Sequence, residues 1–348
     1  MTIRTSAPGK LFLLGEYAVL EGAPALLTAV DRRVLVSIDD IDDLNDPASG
    51  AWQLTAAGLG IGIGIENLTL NTDGALPAGL DPRLRARLTL FDAVRETVLA
   101  RAPRPVRPLR ISIDSTAFSR GGHKLGLGSS AAVAVALTAA LARSAGLDLG
   151  SEELFRLAHA AHRSAQNGTG SGGDVAASVY GGLIGYTPGA DPVRLRWPAG
   201  LSLMAVVTGE GSLTTRLVGR VAEYAATDAA GYAADLSRLA GLAARAETAL
   251  ADPAGFLGLA ADYFAALALL DAHAGAGIVT ERHLELQAFA HREGGVFKTS
   301  GAGGGDVGLA FSLSGEPTER LSAALEAAGA TVVPLGFSAP GLQEGSLE

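Results

Sequence analysis

Three lysines, each beside glycine, are the residues of this chain whose type and spacing suggest phosphate chemistry. Arginine supplies the other basic positions, and lysine is kept only at Lys10, Lys124 and Lys298. Each of these lies within or next to a glycine-bearing stretch. A compact ammonium suits a crowded phosphate site better than a broad guanidinium does. The pattern predicts three phosphate-contacting loops, with chance in an arginine-rich composition as the alternative.

The middle lysine precedes the most informative stretch. Residues 124–132 alternate glycine with leucine and then place Ser129 and Ser130 before a long alanine-rich run. The run predicts a helix from 130 to 145, with Ser129 or Ser130 as its N-cap. Glycines before a helix start leave backbone N–H groups exposed at the positive end of the helix dipole. This stretch is therefore predicted to bind an anion, most simply a phosphate.

Composition limits the classes of function. The 348 residues are 48% hydrophobic and 18% charged, which is typical of a globular protein of about two domains. A net charge of −9 argues against a nucleic-acid surface. The absence of cysteine excludes disulfides, thiolate metal sites and cysteine nucleophiles. We expect a cytoplasmic protein without a membrane segment, because no signal-peptide core is found near Met1 and the apolar run 131–142 is too short to span a bilayer.

The elements that must position these loops are predicted from apolar periodicity. The predicted strands cover 25–38, 109–115, 201–207, 307–313 and 331–335, and the predicted helices cover 82–102, 151–165, 214–224, 232–250, 253–270, 281–292 and 317–328. A proline-containing stretch near 190–200 suggests a domain boundary, which gives domains at 1–192 and 193–348. Mixed strands and helices in this order predict an α+β fold.

Two common phosphate-binding motifs can be set aside. The P-loop string G-x-x-x-x-G-K-[ST] is absent from the sequence. The string G-x-G-x-x-G occurs at 168–173 and 303–308, but the first follows a predicted helix and the second runs into a predicted strand. A dinucleotide-binding fold requires this motif to follow a strand and to open a helix, so that interpretation is rejected.

The three stretches together resemble the signature motifs of the GHMP kinases, in the order and spacing of that family. The first covers 7–22, the second 124–132 and the third 298–308. The resemblance implies an N-terminal domain of ribosomal-protein-S5-like type and a ferredoxin-like C-terminal α/β sandwich. It also implies that ATP lies with Mg²⁺ in the cleft between them.

Within the family, details resemble the phosphomevalonate kinases. These are the sequence Gly15-Glu16-Tyr17, the lysine directly before the second motif, and the extra glycine and aspartate of the third. Residues 171–177 also resemble that group, although Gly173 stands where its members carry an aromatic residue. The resemblance implies ATP-dependent phosphorylation of 5-phosphomevalonate by an enzyme that is a monomer or a homodimer.

The resemblance also implies roles for single residues. Lys10 would bridge the donor and acceptor phosphates, and Asp174 would act as a base or orient Lys10. Ser130 would lie near Mg²⁺. The implied ATP-binding residues are Lys124, Gly126, Leu127, Gly128, Ser129 and Ser130. The implied substrate-binding residues are Glu16, Tyr17, Arg163, Ser171, Gly172, Lys298, Ser300, Gly301 and Ala302.

Several alternatives stay open at this stage. Asp174 could instead cap a helix, and Glu16 could form an internal salt bridge. Counting back from Asp174 puts Arg163 where mevalonate kinases carry a Mg²⁺-binding glutamate, so Arg163 would face an acceptor phosphate or simply point to solvent. His159 and His162 are expected to be packing or surface residues. Mevalonate kinase, or a catalytically silent binding protein of the same family, are the alternative functions.

Overall fold

The computed structural model describes residues 2–41, 50–58, 64–208, 214–305 and 307–345, and these form the predicted α+β fold. The strands are β1 Thr2–Leu14, β2 Ala25–Asp40, β3 Gln53–Ala57, β4 Ile65–Thr69, β5 Leu109–Asp114, β6 Ser119–Arg120, β7 His123–Lys124, β8 Leu183–Tyr186, β9 Val193–Leu195, β10 Leu201–Val207, β11 Val296–Thr299, β12 Val307–Leu313, β13 Thr331–Val333 and β14 Gln343–Glu344. The helices are α1 Pro82–Arg87, α2 Thr89–Leu99, α3 Ser129–Ser144, α4 Ser151–Ala165, α5 Gly173–Tyr180, α6 Thr214–Thr227, α7 Ala229–Ala243, α8 Ala246–Ala249, α9 Pro253–Ala274, α10 Glu281–Arg292 and α11 Glu316–Ala327.

The larger sheet is built on the two long strands β1 and β2. Its order is β14-β1-β2-β5-β3-β4, and β8 and β9 extend from one end of β2. All pairs are antiparallel except β3 with β5. Strand β1 is buried continuously from Thr5 to Leu14, and both α3 and α5 pack against it. A strand buried on both faces is apolar without alternation, as this one largely is.

Helix α3 lies in the centre of this first unit. Residues Ala131 to Ala142 are all buried, so the helix is enclosed on every side rather than on the single stripe expected. Its alanines allow close approach to β1, β2 and the neighbouring helices. A helix held this firmly fixes the position of its own N-terminus, where the second glycine stretch ends.

The smaller sheet forms the second unit. Its order is β11-β12-β10-β13, all antiparallel, and α9, α10 and α11 pack on it. In the part of the chain that the structure describes, α9 is the one helix long and apolar enough to cross a membrane. Half of its apolar window is buried in the fold, which is also what the core helix of a globular domain shows.

The C-terminal segment changes the predicted domain division. Strand β9 pairs with β8 in the first sheet, so that sheet continues past residue 192. Residues 336–345 leave the second unit and return to the first, where β14 pairs with β1 and the amide of Leu342 donates to Val179 O. Residues 193–195 and the C-terminal segment thus pair with the first sheet, although both lie in the second of the two predicted domains.

Two predicted helices are broken in the structure. The helix expected over 82–102 consists of α1 and α2, which meet at the fully buried Leu88. The helix expected over 232–250 consists of α7 and α8. In the third glycine stretch, Asp306 lies outside the described residues.

Candidate active site

The second glycine stretch forms an open loop at the N-terminus of α3. The prediction that Ser129 or Ser130 caps this helix is wrong, because the N-cap is Gly128, with φ +74°. Glycine adopts that left-handed conformation without strain, and it places both serines inside the first turn. No side chain caps the helix. Its first N–H groups and positive dipole end are therefore available to an anion.

Lys10 reaches this loop from β1 and links it to the third glycine stretch. Its backbone N–H donates to Leu127 O at 2.8 Å, and its side chain is 7% exposed. A Cβ added at Gly128 would lie 2.7 Å from Lys10 Cε, and one added at Gly301 would lie 3.7 Å from Lys10 Nζ. The ammonium also lies 5.0 Å from the centroid of the Phe12 ring. Parts of all three stretches thus meet at one side chain.

Helix α4 faces the loop through His162, which the sequence analysis assigned to packing or to the surface and not to the site. The Oγ of Ser130 lies 3.1 Å from Nε2 of His162, and Gln166 Nε2 lies 3.0 Å from the same ring nitrogen. His162 is buried, whereas Arg163 is exposed and donates through Nε and Nη2 to Gly168 O at 3.1 and 2.8 Å. On this face of α4, His162 rather than Arg163 meets the loop.

Asp174 lies in the first turn of α5, and the N-cap of that helix is Gly172, so the capping alternative does not describe it. Its Oδ1 accepts from the N–H of Val175 at 2.9 Å. The preceding turn is held by Tyr186, whose hydroxyl donates to Ser171 O at 2.5 Å. Burial, and secondarily the charge of Asp174, raise the pKa of Tyr186 to about 12. Tyr186 is therefore a neutral donor that fixes this turn.

The Gly173 departure from the family pattern has a structural counterpart. A Cβ at Gly173 would lie 3.2 Å from the Tyr186 ring and 3.3 Å from the Phe12 ring. Aromatic side chains from β8 and β1 thus occupy the space beside a position where the resembled group carries an aromatic residue of its own.

Glu16 and Lys298 form an ion pair inside the protein, which is the alternative stated for Glu16. Glu16 Oε1 lies 2.5 Å from Lys298 Nζ, and the two residues are 2% and 0% exposed. Burial raises the pKa of Glu16 against the opposing effect of Lys298, and burial likewise lowers the pKa of Lys298. Tyr263 of α9 donates to Glu16 O at 2.7 Å. This placement favours a junction between the units over direct contact with a substrate.

Other groups of the third stretch are also bonded within the protein. Ser300 Oγ accepts from Phe12 N at 3.1 Å and donates to Phe12 O at 3.0 Å. Tyr17 donates to Ala302 O at 2.6 Å. Gly303 lies so close to Ile278 O that a Cβ would come within 2.4 Å of it. The loop is therefore clamped between β1, Tyr17 and the segment after α9.

That segment is itself held by a carboxylate that sequence reasoning missed. Asp271, near the end of α9, accepts from the N–H groups of Gly277, Ile278 and Val279 at 2.7 to 2.9 Å. The sequence contained only a weak indication of this role. An aspartate in the last turn of a helix interacts unfavourably with the helix dipole, which suggests that nearby N–H groups stabilise it. For His162 the signal was a polar side chain on the buried face of an amphipathic helix.

Lys124 differs from the other two lysines. It lies in the short hairpin of β6 and β7, and it is exposed. The three lysines therefore have three environments: one at the junction of the stretches, one at the rim of the loop, and one in a buried ion pair.

Comparison with known proteins places this geometry in a family. The model of the GHMP kinases N terminal domain matches residues 89–182. Phosphomevalonate kinase of Streptomyces sp. (strain CL190) is 35% identical over 343 residues, covering 89% of this chain and 90% of that protein. The chain belongs to the GHMP kinase family.

Other members of the family are similar to the chain over most of its length. Mevalonate kinase of Aeropyrum pernix is 33% identical over 246 residues, covering 70% of this chain and 68% of that protein. The solved structure of Streptococcus pneumoniae phosphomevalonate kinase in complex with phosphomevalonate and AMPPNP superposes with a TM-score of 0.77, at 20% identity and with 97% and 99% of the two chains covered. That likeness confirms the two-domain GHMP kinase fold.

The loop before α3 fits the nucleotide that GHMP kinases bind. Its uncapped helix end and the adjacent Lys10 suit phosphate oxygens. Within the described residues, no group of three or more His, Asp or Glu side chains could hold a metal ion. A magnesium ion here would share its ligands between the nucleotide and Ser130, which is the usual way that Mg²⁺ binds at phosphate sites.

Proposed function

We propose that this GHMP kinase is a phosphomevalonate kinase. It transfers the γ-phosphoryl group of ATP to the phosphate of (R)-5-phosphomevalonate, giving 5-diphosphomevalonate and ADP in the mevalonate route to isoprenoids. The support is the 35% identity with a phosphomevalonate kinase over nine-tenths of both chains, together with the site described above.

The observation that carries the proposal is the position of Lys10. Its methylene stem runs past Gly128 at the uncapped end of α3, and its ammonium lies beside Gly301 and the Phe12 ring. Transfer between two phosphates requires two polyanions to be brought together, and a nearly buried cation stabilises the transferring group far more than an exposed cation would. Lys10 is thus proposed to touch both the donor and the acceptor phosphates.

The remaining roles follow from this arrangement. The N–H groups of residues 126–130 hold the nucleotide phosphates, with Lys124 at the rim and Ser130 as the protein's oxygen toward magnesium. When bound, magnesium supplies charge neutralisation at the phosphates. Ser171 and Gly172 form the turn that presents Asp174 to the acceptor. Because an acceptor phosphate is already an anion, Asp174 is proposed to orient the reacting groups rather than to remove a proton.

The polar side chains of the third stretch are proposed to hold the site in place from within the protein. Tyr17, Ser300 and Ala302 hold the loop that presents Gly301 beside Lys10. Glu16 and Lys298 join the two units behind it. None of these polar contacts requires the bound substrate.

Mevalonate kinase is the second candidate, because relatives with that name match at up to 33% identity. The helix face that meets Ser130 carries His162 and Gln166 and no carboxylate. This difference from the glutamate expected in mevalonate kinases favours the phosphorylated acceptor.

Release of ADP with phosphomevalonate, with mevalonate and with neither acceptor tests the proposal. We expect phosphomevalonate to be consumed first when both acceptors compete for limiting ATP. Preferential consumption of mevalonate would make the protein a mevalonate kinase instead. If neither acceptor stimulates the release of ADP, the protein would be a catalytically silent binding protein.

A further inference from the structure

The buried face of α4 presents one imidazole to one exposed hydroxyl. This face is otherwise aliphatic, formed by Leu154, Leu157, Ala158 and Ala161. His162 interrupts it and is 2% exposed, yet its Nε2 lies 3.1 Å from Oγ of Ser130, which is exposed in the first turn of α3. A buried polar side chain is costly unless it is hydrogen-bonded, so the Ser130 contact is part of what retains it.

Gln166 determines which way the hydrogen bonds run. Its amide nitrogen lies 3.0 Å from the same Nε2. With the Gln166 amide assigned in this orientation it donates, and the matching His162 tautomer accepts at Nε2 and carries its proton on Nδ1. The Ser130 hydroxyl faces the same nitrogen at 3.1 Å, so its proton shares this single lone pair. The oxygen of Ser130, an exposed residue, keeps its own two lone pairs for another partner. An oxygen with free lone pairs is a ligand for a hard cation.

We propose that His162 and Gln166 are positioning residues that hold the Ser130 hydroxyl as a ligand for nucleotide-bound magnesium. The inference rests on the proposed function of the Gly126–Ser130 loop as the nucleotide phosphate site. On α4, the groups that would position this ligand are an imidazole and an amide, which are both neutral and lie one turn apart. The metal site of this chain thus carries less negative charge from the protein than a site with a glutamate on this helix, and the phosphates supply the rest.

Calorimetric titration of ATP, once with magnesium and once with EDTA, tests this in the wild type, His162→Leu and His162→Gln. We expect His162→Leu to weaken binding of magnesium ATP about 10-fold, as loss of a partner that orients a metal ligand does. Binding of metal-free ATP should change by less than about 2-fold, because the backbone cradle is intact. In His162→Gln an amide oxygen can accept from Ser130, so the magnesium-dependent part should return.

His291→Leu, an exposed histidine on α10, is the matched control and should behave as wild type. In a Ser130→Ala background, His162→Leu should have no further effect on magnesium ATP, and this double variant keeps the test decisive if either single variant is poorly stable. Equal weakening with and without magnesium, or no weakening, would overturn the positioning role. Failure of the wild type to bind magnesium ATP at all would instead overturn the proposed function.

Discussion

Two glycine loops that look alike in sequence differ in how much of their polar surface the protein itself uses. The loop before α3 ends in an uncapped helix, and its lysine, Lys124, is exposed. The loop at 298–305 has its lysine in a buried pair, its serine bonded twice to Phe12, and the Ala302 carbonyl bonded to Tyr17. The first loop leaves its polar groups available to a ligand, whereas the second loop uses its polar groups to connect parts of the protein. Substitutions in the two loops should therefore fail in different ways.

The largest effect is expected at Lys298. Lys298→Met leaves the carboxylate of Glu16 buried without a counter-charge, and breaking a buried pair costs about 3–5 kcal/mol. Urea unfolding should show a loss of this order in the free energy of unfolding. The double variant Glu16→Leu/Lys298→Met should recover most of it, because no unpaired charge remains. Unchanged stability with weakened acceptor affinity would instead make Lys298 a substrate ligand.

Lys10 should show the opposite behaviour. Lys10→Arg should reduce kcat about 10²- to 10³-fold, the usual cost of losing a placed donor at a developing charge, because a guanidinium does not fit over Gly128. The free energy of unfolding should change by less than about 1 kcal/mol, as is usual for substitutions that bury no new charge. Arg156→Lys, at an exposed ion pair on α4, is the control, and we expect it to keep its activity. Normal turnover in Lys10→Arg would remove Lys10 from phosphoryl transfer.

The glycines of the two loops allow a finer comparison. Gly128→Ala strains a positive φ, at about 1–2 kcal/mol, and pushes its Cβ against the flexible Lys10 side chain. We expect a loss of kcat about 10-fold or more as the ammonium is displaced. At Gly303→Ala the obstacle is the backbone oxygen of Ile278, which cannot swing away, so stability should fall more than kcat. Kinetics and thermal unfolding of both variants compare the loss of kcat with the loss of stability in each. If the two variants lose activity and stability in the same proportion, the distinction between a ligand-binding loop and a structural loop is contradicted.

The sequence predicted the parts of this molecule that depend on local pattern. The apolar pattern of β2, the alanine-rich α3 and the glycine loop before it were all recognisable from neighbouring residues. What it missed depends on contacts distant in sequence. Glu16 meets Lys298 across 282 positions, and Ser130 meets His162 across 32. Glycine and lysine together indicate close approach of backbone and charge, and a phosphate and a buried carboxylate satisfy that pattern equally well.

The cap of α3 was predicted wrongly, and the directions of the side chains on α4 were not predicted. Serine and glycine are both favoured N-caps, and only the φ of Gly128 decides between them. On α4, a shift of one residue rotates a side chain by about 100°, which separates the buried His162 from the exposed Arg163.

The smallest effect is expected at Arg163, because its guanidinium is exposed and its contacts are with Gly168 O. Loss of these hydrogen bonds loosens the turn that leads to Ser171 and Asp174. Arg163→Ala should therefore raise KM for phosphomevalonate about 2- to 5-fold and leave kcat nearly unchanged. This size is in keeping with an exposed hydrogen bond of about 1 kcal/mol. Arg163→Glu should raise KM further, since a negative charge there repels a phosphorylated acceptor. Arg156→Ala, on the same helix and in an exposed ion pair with Glu152, is the control and should have no effect. Equal kinetics of Arg163→Ala and Arg163→Glu would mean that Arg163 braces the turn without sensing the acceptor's charge, whereas a fall in kcat for Arg163→Ala would move this residue from the rim of the site into its centre.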